Sequence, residues 1–117
     1  MSFTMTKNKI TLTKGDTFSI PIDFHQPIEG ATITIQIYQA DGILPLVTKE
    51  IKNHANASQG KSILLLEKEL TNLQAGTYKI EMFITFLDGS KYTFYPPMPE
   101  IKPVLEIIPS NLTSYPG

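Results

Sequence analysis

The chain has 117 residues, a formal net charge of −1, 41% hydrophobic and 18% charged residues, and no cysteine. That length fits one compact domain, and the apolar content is too high for a disordered polymer. Disulfides, thiolate metal sites and cysteine nucleophiles are excluded, and the near-neutral charge argues against nucleic acid, whose phosphates need a basic surface. All ten basic residues are lysine, so no guanidinium fork is present for bidentate anion capture. No apolar run approaches the ~20 residues that span a bilayer, and Met1 to Lys7 does not read as a signal peptide, since no apolar stretch follows the charge. The reading is therefore of a signal-less domain with no membrane partner.

Fifteen Ile and thirteen Thr stand against five Ala, which favours pleated sheet over helix. A first strand is predicted over 8–13. Phe18, Ile20, Ile22 and Phe24 then alternate with Thr17, Ser19, Pro21 and Asp23. Pro21 has no N–H for a ladder, so this strand belongs at an edge or bulge. Ile33, Ile35 and Ile37 line one face of the next strand, and 44–52 and 61–69 are further candidates. Tyr78, Ile80, Met82, Ile84 and Phe86 line one face of a long strand, followed by 90–95 and 103–108. Asp41-Gly42 and Asp88-Gly89 read as hairpin turns, and Asn53 to Gly60 as a mobile polar loop. Pro96 to Pro103 carries four prolines and reads as an extended crossing rather than a ladder. Seven to eight short strands at this spacing predict an all-β sandwich or small barrel, and the antiparallel sandwich is the reading taken. One domain is expected over 1–109, with 110–117 as a tail or linker start.

The segment Leu70 to Ile80 is the most informative. Leu70 and Leu73 face inward from a short turn, and Gly76-Thr77-Tyr78 opens the long strand. The pattern is similar to the tyrosine corner of immunoglobulin-like (Ig-like) sandwiches, in which the phenol ties the strand back to the preceding turn. Here Tyr78 and Gly76 would form it. Ile80 stands where antibody domains place a cysteine.

Few residues suggest chemistry. His25 and His54 read as solvent-exposed loop histidines, with no acid or second histidine at ligand spacing. Glu67 and Glu69 would share a strand face and read as solvated rather than catalytic. Asp41 or Asp88 could join turn carbonyls at calcium, but the D-x-D-x-D-G loop is missing. Gly60-Lys61-Ser62 resembles the end of a phosphate loop without its earlier glycine. Catalytic, metal and cofactor sites are thus read as none. The remaining signal is apolar side chains on faces that should be wet. Phe83, Leu87, Tyr92 and Tyr95 are the candidate interface, and Ile63 to Leu66 make another strand apolar on both sides. Such a surface is covered either by a partner or by the 96–103 crossing.

Taken together, Thr13 to Phe18, Ile28 to Ile35, Leu73 to Glu81 and Asp88 to Tyr92 carry a family resemblance. Residues 8–108 are similar to the Ig-like N-terminal domain of bacteriophage baseplate upper proteins and related tail-fibre proteins of low-GC Gram-positive hosts. The resemblance implies an Ig-like sandwich acting as a virion structural component, not an enzyme, made in the bacterial cytoplasm. It implies docking to other tail or baseplate proteins, or to further copies of the chain. The alternative is a carbohydrate-binding or adhesin module using Tyr92 and Tyr95 as aromatic platforms, a weaker reading without tryptophan.

Overall fold

The computed structural model describes residues 3–97 and 102–109, which form a mostly β, sandwich-like fold. Nine strands lie among the described residues. They are β1 (Phe3–Met5), β2 (Lys9–Thr13), β3 (Phe18–Asp23), β4 (Thr32–Gln39), β5 (Pro45–Ile51), β6 (Lys61–Leu66), β7 (Gly76–Thr85), β8 (Lys91–Tyr95) and β9 (Val104–Ile108). One α-helical turn, α1 (Lys68–Thr71), follows β6. Three features differ from expectation. A short first strand precedes the predicted one, the 61–69 strand stops at Leu66 to become α1, and β2 runs parallel to β9. Pairing between chain ends has no local sequence signature, so period-two counting cannot reveal its direction.

The larger sheet orders its strands β1-β2-β9-β7-β4-β5, with β8 also on β7. The smaller sheet is β3 paired with β6. Pro21 sits opposite Ile63 in this two-stranded sheet, where β3 has an open edge, as a residue without an N–H requires. Alternation aims Ile10, Leu12, Ile33, Ile35, Ile37, Ile80, Met82, Ile84, Leu105 and Ile107 inward from one sheet, against Phe18, Leu64 and Leu66 from the other. Burying each such side chain stabilises the fold by about 1.5–3 kcal/mol before entropy is counted.

One edge of β7 is served by two strands. Tyr95 of β8 lies opposite Met82, and Val104 of β9 lies opposite Lys79. Eight residues of chain therefore bridge a gap of only Ile80 and Glu81 along β7. The described proline residues of this excursion, Pro96, Pro97 and Pro103, all lie outside any strand, as expected. Residues 98–101 and the predicted tail 110–117 lie outside the described residues.

The turn after α1 is pinned from across the fold. Lys14 Nζ donates to the Asn72 carbonyl at 3.0 Å and the Leu73 carbonyl at 2.9 Å. Thr71, fully buried, donates its hydroxyl to the Asp16 carbonyl at 2.7 Å. Leu70 packs into the core and Leu73 against it.

Candidate docking site

The four predicted interface residues do not form one patch. Phe83 lies on the outer face of the larger sheet, half-buried, with Lys91 Nζ 4.1 Å from its ring centroid. Leu87 lies in the β7–β8 turn, exposed, with its side chain over Gly30. Tyr92 is exposed at the sheet edge and is the register partner of Ile84. Tyr95 is a correction, being only 3% exposed and part of the core. The cause is a bulge. Phe83 pairs with Thr93 and Met82 with Tyr95, so Phe94 is the extra residue and Tyr95 turns inward. Its hydroxyl donates to the Thr6 carbonyl at 3.0 Å, and burial pushes its pKa up to about 12. The sugar-binding alternative thereby loses one of its two platforms. Phe94 packs edge-on to Phe24 with centroids 5.1 Å apart.

Tyr78 is half-buried and donates its hydroxyl to the Gln74 carbonyl, four residues upstream. Gly76 between them holds φ +154, a conformation that favours glycine.

The histidines differ from each other. His25 is exposed, close to Asp23. His54 is half-buried rather than solvent-exposed, because its ring joins the two sheets. A backbone carbonyl can only accept, so Nε2–H donates to Ala31 at 2.8 Å and Nδ1 accepts from the Ser62 hydroxyl at 2.9 Å. Ser62 is itself buried on the inner side of β6, so the pair acts as a rivet rather than a reactive dyad. The 53–60 loop is accordingly anchored. Asn56 bridges Lys61, and Gly60 donates to the Ala57 carbonyl at 3.1 Å. Glu67 lies beyond the end of β6, at the start of α1, 3.7 Å from Lys49. Among the described residues no group of three metal-ligating side chains converges.

The exposed apolar surface lies mainly elsewhere. Ile43, Leu44 and Leu46 are 89%, 78% and 47% exposed at the β4–β5 hairpin. The strand ends five residues apart rather than two, and Leu46 is the extra residue of a bulge, since Ile37 pairs with Val47 and Tyr38 with Pro45. The run therefore projects beyond the sheet. Its base is held firmly. Lys79 Nζ donates to the Gly42 carbonyl at 2.8 Å while lying 5.8 Å from the Tyr38 ring centroid. Burial, with the Glu81 carboxylate adding, holds the Tyr38 phenol above its ordinary value. The sequence carries a signal for this tip, namely five consecutive apolar residues directly after Asp41-Gly42. Period-two reading absorbs them into the strand.

A groove of about 390 Å³ lies against the smaller sheet, lined by Pro21, Ile22, Ala55 and Ile63 together with the polar Asp23, Lys61 and Ser62. Ile63 and Leu65 face outward from β6, as the sequence predicts for a strand apolar on both sides. β4 begins and β5 ends near this groove, whereas the tip lies where β4 ends and β5 begins. The two features thus occupy opposite ends of the fold. Compared with known proteins, the chain matches no family model and no curated sequence.

Proposed function

We propose that this chain is a non-enzymatic assembly domain with Ig-like topology, residing in a phage or prophage tail or baseplate and docking to neighbouring virion proteins. The observation that carries this reading is the rigidly based tip of Ile43, Leu44 and Leu46, whose apolar side chains are turned to solvent at the end of a well-paired hairpin. Contiguous apolar exposure of this kind marks surfaces that other proteins cover. Support for the Ig-like topology comes from two packed sheets, a first long strand parallel to the last, and the Tyr78 phenol returned to the Gln74 carbonyl. The virion role comes from the resemblance of the turn-and-strand signatures over residues 8–108.

The test is to place a photoreactive residue at Leu44 and express the chain in the source bacterium during induced particle production. Illumination is expected to link it to a protein that sediments with tail particles. Purified particles that contain no trace of the chain overturn the reading.

A further inference from the structure

We propose that the free edge of β6 is a strand-addition site, which takes an extended segment of another protein as a third strand of the smaller sheet. This surface is distinct from the hairpin tip, and its test does not depend on the docking reading above. The direction of the main-chain groups carries the inference. Lys61 exchanges both of its main-chain hydrogen bonds with Asn56, at 2.9 Å each. Along a strand these groups point to opposite sides at successive residues. Ile63 and Leu65 therefore point theirs the same way as Lys61, away from β3, while Ser62, Leu64 and Leu66 face Ile22, Ile20 and Phe18. Among the described residues, nothing bonds the Ile63 and Leu65 groups on that side. Each leaves a free N–H and a free carbonyl beside a side chain that is 48% exposed at Ile63 and 39% at Leu65.

A row of donors and acceptors at strand spacing is matched by another main chain in extended form. Free edges are ordinarily blunted by proline, bulges or charge. β3 carries Pro21 on its outer edge, β5 begins with Pro45 and the Leu46 bulge, and β8 has the Phe94 bulge. Between Ser62 and Leu66, β6 has none of these. The same interruptions weigh against a second copy of the chain as the added strand. Two β6 strands paired about a two-fold axis at Leu64 set Glu67 of one copy against Lys61 of the other, where Asn56 already lies. An axis at Ile63 calls on the Lys61 groups that Asn56 holds, and one at Leu65 calls on the Glu67 carbonyl, which accepts from Leu70 and Thr71. A separate segment need be extended over only three residues, with aliphatic side chains beside Ile63 and Leu65, and its ends leave the edge before Asn56 and before α1.

The experiment is amide hydrogen exchange of the isotope-labelled full chain, read by NMR, with the peptide acetyl-Ser-Val-Val-Val-Ser-amide as probe. In the dilute free chain the Ile63 and Leu65 amides are expected to exchange about tenfold or more faster than those of Leu64 and Leu66, which bond β3. Peptide at millimolar concentration is expected to slow Ile63 and Leu65 by about tenfold. Methylating the nitrogen of the middle valine alone leaves one peptide edge intact and should retain this protection. Methylating all three valine nitrogens keeps every side chain and should abolish it. Ile63 and Leu65 amides that are already slow in the dilute chain, or that the peptide leaves unchanged, overturn the proposal. So does equal protection by the fully methylated peptide, which would mean an apolar patch without strand pairing. Protection that grows with chain concentration in the absence of peptide also overturns it, by showing that a second copy takes the edge. Each outcome stands whether or not Leu44 links to a tail protein.

Discussion

The Tyr95 hydroxyl donates to the Thr6 carbonyl 3.0 Å away, joining residues that stand 89 positions apart. This bond ties the end of β8 to the turn that precedes β2, at the place where β8 leaves the sheet. Tyr95→Phe keeps the buried ring and removes only the bond, so it is expected to cost about 1 kcal/mol, or a few degrees of melting temperature. Urea unfolding with an unchanged m-value checks it.

The same residue sets an alkaline limit. Its pKa is raised to about 12 from an ordinary 10.0, because burial disfavours the phenolate. A group raised in the folded state contributes stability that is fully present below pH 10 and is lost as pH rises through about 12. Melting temperature followed from pH 9 upward should therefore fall less steeply in Tyr95→Phe than in the wild type.

His54 makes a prediction about a proton. In the neutral ring the hydrogen resides on Nε2, because Ala31 offers only a carbonyl. Nitrogen-detected NMR of labelled histidine should report that tautomer for His54. Ser62→Ala leaves Nδ1 without its donor and is expected to cost about 1–2 kcal/mol. A tautomer carrying the proton on Nδ1 would refute the assignment.

Gly60 donates to the Ala57 carbonyl and holds φ +79 with the Gln26 backbone directly against the space a Cβ would fill. Gly60→Ala is expected to destabilise by about 2–3 kcal/mol, from left-handed strain plus backbone displacement. Gly89 has a similar φ of +90 but open space around it, so Gly89→Ala should cost about 1 kcal/mol. Denaturant midpoints of the two variants give the comparison.

Much of the fold was legible because one buried face imposes period two. Ile33, Ile35 and Ile37, and likewise Ile80, Met82 and Ile84, are apolar at alternate positions and buried as that pattern demands. Bulges defeat the same counting. Phe94 and Leu46 are each one residue too many for their ladders; the first decides that Tyr95 is core, while Leu44 is exposed because it lies in the loop before β5. His54 escaped for another reason. Its partners, Ala31 and Ser62, are 23 and 8 residues away, and no local composition marks a bond made between two sheets.

The parallel registry of β2 and β9 also governs how the domain carries force. With β1 peeled from its antiparallel partner, tension applied at Lys9 and Ile108 acts on opposite ends of two strands that run the same way. All five residue pairs of that ladder are then loaded in shear together rather than opened one at a time. Separating β2 from β9 along this direction thus requires the whole ladder to slip at once.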